Sequence, residues 1–153
     1  MLVFRLSKQS YADSLSGKGT SLSGGRWNSK GTAIIYTASN RALAMAEVLV
    51  HLSLSRLPEN YLILSILIPA GISKQIITPE KLPNSWNTFP YPTLCQKVGD
   101  NFVNEAKHCM LQVPSAVVKG DFNYLINPMH SEFKEITITE REPFPLDKRL
   151  FRL

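Results

Sequence analysis

Glu47 is the residue whose type and setting most directly invite chemistry. Positions 43, 46, 47, 50 and 54 share one face of a helix, and apart from Glu47 that face reads Leu43, Ala46, Val50 and Leu54. The other side, with Met45, Val48, Leu49 and Leu52, is apolar too, so this helix is enclosed on most sides. Burying a carboxylate without compensation costs several kcal/mol, so Glu47 calls for a partner, a raised pKa or a polar cleft at its tip. A pairing with His51 one turn later, or a side chain that snorkels to the surface, is the structural alternative.

Arg26 is the second candidate. It stands between Gly17 and Gly31, a stretch of fifteen residues that holds five of the chain's eight glycines: Gly17, Gly19, Gly24, Gly25 and Gly31. Such backbone freedom suits close approach to a ligand or a set of special turns, and a guanidinium fits a phosphate or a planar amide bidentately. Trp27 beside it is either a core anchor or a stacking surface. Tyr36 ends a β-prone run, where its ring packs and its hydroxyl can reach a partner. Ser115 lies in Val113-Pro114-Ser115-Ala116, which is not a Gly-x-Ser-x-Gly nucleophile elbow, so the serine-hydrolase reading is poor.

Other chemistries find little support. His51, His108 and His130 lack the spacing of metal ligands, and the neighbours His108-Cys109 do not make a site, so no catalytic metal is expected. No Gly-x-Gly-x-x-Gly and no P-loop is present, so a dinucleotide would not be bound by a Rossmann fold. The formal charge of +5 permits an anionic ligand, but the basic residues are scattered and no nucleic-acid-binding signature accompanies them. Cys95 and Cys109, 14 positions apart, read as buried free thiols.

These residues must be positioned by one domain. A chain of 153 residues, 44% hydrophobic and 19% charged, builds a single core, and its apolar runs are too short to cross a bilayer. No secretion signal opens it, which points to the cytoplasm. Strands are expected at Leu2–Leu6, Ala33–Thr37, Tyr61–Ile68, Met110–Val118 and Phe133–Thr139. Helices are expected at Arg41–Ser55, capped by Ser39 or Asn40, and at Thr93–Lys107. Four prolines between Ser73 and Pro92 predict irregular structure. The sum is an α+β domain with more strands than helices.

Taken together, the motifs resemble the RES domain, the toxin of bacterial RES-Xre toxin-antitoxin pairs. The matching blocks are Gly24-Gly25-Arg26-Trp27-Asn28 with Gly31, Tyr36-Thr37, Ala44-x-x-Glu47, Val113-Pro114-Ser115-Ala116, and Asn123-Tyr124-Leu125-Ile126-Asn127-Pro128 with His130. They arrive in family order from about Phe4 to Phe133; Ser29-Lys30 departs from the prolines frequent in relatives.

The resemblance implies an ADP-ribosyltransferase-like fold, with a split, bent β-sheet core and flanking helices over residues 1–153. It implies a toxin that consumes NAD+ as substrate, without a prosthetic group, by cleaving the nicotinamide–ribose bond as a glycohydrolase or phosphorylase. Mono-ADP-ribosylation of a cellular protein is the alternative; an RNA-directed toxin or a non-catalytic binding module fits less well. Carried over residue by residue, Glu47, Ser115 and Arg26 are catalytic. Arg26, Tyr36 and Trp27 bind the dinucleotide, and Asn123 and Asn127 shape its site. The implied partner is an Xre-type antitoxin, with room for self-association in the complex and no direct contact with membrane or nucleic acid.

Overall fold

The computed structural model describes residues 1–52 and 59–151. Seven strands, β1 (Leu2–Lys8), β2 (Ile35–Ala38), β3 (Tyr61–Leu67), β4 (Lys74–Ile76), β5 (Met110–Pro114), β6 (Phe122–Ile126) and β7 (Thr137–Pro143), form one sheet in the order β4-β5-β6-β2-β1-β3-β7. All pairings are antiparallel except β4 with β5. The halves of the sheet meet where β1 touches β2 through one partner pair, Phe4 with Ala38, so the sheet opens at its middle. A register shift at Ser65/Ile66 leaves Thr139 of β7 without an opposite residue, a bulge that bends β7 against β3.

Three helices flank the sheet: α1 (Lys18–Ser23), α2 (Arg41–Leu49) and α3 (Thr93–Glu105). The α+β class and the excess of strands match the sequence reading. Among the described residues no helix is long and apolar enough to cross a membrane.

Several boundaries differ, each for a physical reason. The glycine-rich stretch holds a short helix, because Gly17 at φ +64° and Gly24 at φ +72° turn the chain into and out of α1. Helix α2 starts as expected, with Asn40 Oδ1 accepting from Leu43 N at 2.8 Å, but stops at Leu49. The chain then tightens through His51 N to Val48 O and Leu52 N to Leu49 O, which keeps Leu52 packed on the core and preserves the apolar pattern past the helix end. The remainder of the expected helix, from 53 to 55, lies outside the described residues.

Strand β6 was absent from the sequence reading; it covers the Asn123–Ile126 block, whose buried asparagine hides the apolar alternation. Phe133, expected to begin a strand, sits in a 3-10 turn (Ser131–Glu135), and β7 runs on to Pro143 as a charged edge strand carrying Glu140, Arg141 and Glu142. Cys95 and Cys109 are free and buried, in separate core clusters. Burial together with Glu132 and Glu135 pushes the Cys109 thiol up to about 11.

Candidate active site

The register of the central strands decides which side chains share a face. Ala38 pairs with Asn123, and Tyr36 with Leu125; on the next strand Val113 pairs with Asn123 and Leu111 with Leu125. Paired residues point to the same side, so Tyr36 and Asn123 stand on one face as diagonal neighbours, about 7–8 Å apart by sheet geometry. Two residues after β2 ends, Asn40 opens α2, and this short connection brings Glu47 back over the same strands.

Glu47 finds its partners there. Its Oε1 accepts from Ser115 Oγ at 2.8 Å and from Asn123 Nδ2 at 2.5 Å. Ser115 and Asn123 are 5% and 7% exposed, so both bonds form away from bulk water. Ser115 Oγ in turn accepts from Val117 N and Val118 N, both at 3.0 Å, which uses the two lone pairs of the hydroxyl while its proton serves Glu47. Ser115 N donates to Asp121 O at 2.9 Å, and Asn40 Nδ2 reaches Asp121 Oδ2 at 3.3 Å. The start of α2 and its carboxylate are therefore tied to the same β5–β6 connection. His51, the alternative partner, is exposed in the turn after α2 and forms no described ion pair with Glu47.

The second cluster lies around Tyr36. Its hydroxyl donates to Asn28 Oδ1 at 2.6 Å and accepts from Trp27 N at 3.0 Å, so it fastens the loop that carries Arg26. Fully buried Asn28 spans that loop by donating to Thr20 O and Thr32 O, both at 2.9 Å. Helix α3 clamps the loop from outside: Gln96 donates to Gly25 O and Asn28 O, and Asp100 accepts from Ser29 N. Arg26 Nη1 donates to Trp86 O at 2.6 Å and Thr88 O at 2.9 Å, with its guanidinium 5.7 Å from the Tyr91 ring centre. Arg26 thus holds the proline-rich segment, and its other nitrogens have no described hydrogen bond.

Burial raises the Tyr36 phenol above its ordinary value. Its folded pKa exceeds the unfolded one, so the neutral phenol's contribution is complete below about 10.0 and declines as pH rises through the folded value. Tyr36→Phe strands the Trp27 N–H and removes the donor to Asn28, which should lower stability by about 1–3 kcal/mol. Urea unfolding at neutral pH checks this, and an unchanged midpoint contradicts it.

The sequence-derived residues thus fall into two groups. Glu47, Ser115 and Asn123 form one hydrogen-bonded cluster; Tyr36 joins the Arg26 loop and shares the sheet face that leads to Asn123. Arg26 makes no described hydrogen bond or ion pair with Glu47. Trp27 is 2% exposed, its ring 6.3 Å from that of Trp86, so it is a core anchor with no face open for stacking. Asn127 is fully buried just past the far end of β6, where it donates to Val103 O and accepts from Met129 N, apart from the Glu47 cluster. The sequence reading missed Asn28, Gln96, Gly99 and Asp100 as supports; Asn28 stood inside the glycine block, Gly99, whose added Cβ would meet Trp27 O, was signalled as a glycine in mid-helix, and nothing in the α3 pattern distinguishes Gln96 and Asp100 from ordinary helix residues.

This fold has a solved counterpart. A chain of the crystal structure of the M. tuberculosis MbcT-MbcA toxin-antitoxin complex superposes with a TM-score of 0.72 over 98% of this chain and 86% of its own, at 20% identity. The chain belongs to the RES domain family, whose model matches residues 2–147. Among its relatives, the Prs ADP-ribosylating toxin of Sphingobium sp. (strain YBL2) is 38% identical over 143 residues, covering 92% of this chain and 89% of that protein. Toxin Res of Photorhabdus laumondii is 36% identical over 155 residues, covering 99% and 98%.

Proposed function

We propose that the chain is the toxin of a toxin-antitoxin pair and acts by breaking the bond between nicotinamide and ribose in NAD+. The observation that carries this reading is the Glu47 carboxylate: Oε1 is held by Ser115 and Asn123, while Oε2 has no described protein partner. A carboxylate oriented through one oxygen, with the other unengaged by the described residues, suits a sugar whose charge becomes positive in the transition state.

Loss of nicotinamide takes the bonding electrons with the departing ring and leaves an oxocarbenium-like ribose. Glu47 Oε2 would accept a ribose hydroxyl and offset that charge, in a setting where Ser115 and Asn123 already fix its position and no reorganisation is needed. Arg26 would offer its remaining guanidinium nitrogens to the pyrophosphate. Tyr36 would bound the nicotinamide side of the cleft while its hydroxyl keeps the Arg26 loop in place. Trp27 and Asn127 would support from within the core.

Ser115 serves as a positioning residue in this scheme, because both lone pairs of its oxygen accept backbone N–H groups and its proton goes to Glu47. Ser115→Ala should lower kcat about tenfold, the equivalent of one hydrogen bond's ~1.4 kcal/mol, with KM little changed. Steady-state kinetics test this; a covalent ADP-ribosyl-Ser115 adduct would contradict it.

The ADP-ribose left behind can pass to water, to phosphate or to a protein. Transfer to a protein is the second reading, favoured by the name of the Sphingobium relative. An antitoxin partner, Xre-type by resemblance, is consistent with the complex in which the structural counterpart was solved. The deciding experiment gives the purified chain NAD+ labelled in its adenylate half, with and without phosphate and cell extract. Nicotinamide release is expected, and the labelled product identifies the acceptor. NAD+ left intact under all these conditions by a folded chain overturns the reading.

A further inference from the structure

Three side chains that no step above uses converge at the other end of β6. One ligand atom each from Cys109, His130 and Glu132 lie within 4.8 Å of one another. Cys109 immediately precedes β5, whereas His130 and Glu132 belong to the turn after β6, so three residues of unhelpful sequence spacing meet only in the fold. From these we infer that Cys109, His130 and Glu132 form a binding site for a zinc-type divalent cation, with solvent water at the fourth position.

The donor set fits such an ion. A thiolate, an imidazole nitrogen and a carboxylate oxygen are its common ligands, and their charges with a neutral imidazole sum to zero against a dication. His130 Nδ1 and Glu132 Oε2 are 3.8 Å apart, close to the separation of about 3.4 Å that two such ligands have on a tetrahedral zinc. His130 Nδ1 accepts from Glu132 N at 3.2 Å, so that nitrogen carries the lone pair a metal requires. The ion would take over this lone pair.

The support around the ligands is already assembled. Ser73, in the turn before β4, donates through N at 2.9 Å and Oγ at 2.6 Å to Glu132 Oε2, and its Oγ accepts from Cys109 N at 3.0 Å. One serine thus orients two of the three ligands, as hydrogen-bonding partners around metal ligands do. Cys109 closes the site from the core, while the Glu132 side chain, 31% exposed, leaves a path from solvent. A bound ion would pin the turn after β6 to the start of β5. The site lies about 13 Å of strand away from Asn123 and does not depend on the NAD+ reading.

The test uses the reduced, chelator-treated full chain and cobalt(II) as a coloured substitute for zinc. A saturable thiolate-to-cobalt charge-transfer band is expected, together with a zinc-dependent rise in Tm. Cys109→Ser should abolish the band and Cys95→Ser should keep it, because Cys95 is buried in a different cluster. Ser73→Ala should weaken cobalt binding about 10–100-fold. Absence of the band and of the zinc-dependent Tm rise in the unsubstituted chain overturns the inference without reference to any variant, as does a band that survives in Cys109→Ser.

Discussion

Glu47→Gln should cut nicotinamide release by about 10²–10³-fold while leaving the fold intact. The substitution is chosen for its geometry. Ser115 Oγ and Asn123 Nδ2 both donate to Oε1, and a glutamine carbonyl oxygen can take that place and accept both bonds. What changes is the other position, where an acceptor with negative charge becomes an uncharged amide NH2. The variant therefore removes the feature assigned to the ribosyl cation and keeps those that hold α2 to the β5–β6 connection.

Glu47→Ala is a poorer probe, because it leaves the Asn123 amide and the Ser115 proton buried without an acceptor, a further cost of about 1–3 kcal/mol. Initial rates and thermal midpoints of the two variants separate the effects. A Gln variant that releases nicotinamide at the unsubstituted rate would show that the Glu47 charge plays no part.

Gly99→Ala should produce the largest loss of stability of any glycine-to-alanine exchange in the chain. A Cβ built at Gly99 falls 1.6 Å from the carbonyl oxygen of Trp27, far inside the roughly 3.5 Å of a favourable contact. Neither group is the end of a flexible side chain; both belong to backbone, so α3 or the Arg26 loop must move.

Overpacking costs about 1–3 kcal/mol, occasionally more, where side chains can yield, and here they cannot. A fall in Tm of roughly 6–12 °C or more follows for a domain of this size. Because Gln96 and Asp100 hold the same loop, Arg26 should be displaced and substrate affinity should fall with stability. Gly71→Ala is the control: nothing lies within 4 Å of its added Cβ, and its Tm should not change. Equal midpoints for the two variants would refute the packing assignment.

Local pattern singled out Glu47 and Arg26 as candidates. A carboxylate breaking an apolar helical stripe is anomalous without any fold, and an arginine among glycines nearly so. The strand that carries Tyr36 and a cap at Ser39 or Asn40 were legible for the same reason, since they depend on neighbours a few positions away; the structure shifts that strand to Ile35–Ala38 and chooses Asn40. The end of α2 was not, because hydrophobic periodicity continues through the turn that follows it. Gly99, out of place inside a helix, signalled a close approach but not its partner, because the missing Cβ is required by Trp27, 72 positions earlier.

The sequence by itself therefore determined the α+β class, the family and the residue types available for chemistry, because those are properties of composition, period and motif order. Tertiary structure decided their partners. Register set Asn123 beside Ala38 and so under Glu47; the same packing put Trp27 in the core and Asn127 at the far end of β6. It also gathered Cys109, His130 and Glu132 from two segments. Hydrogen bonds and burial join residues distant in the chain, and no local pattern encodes which distant residue will stand opposite.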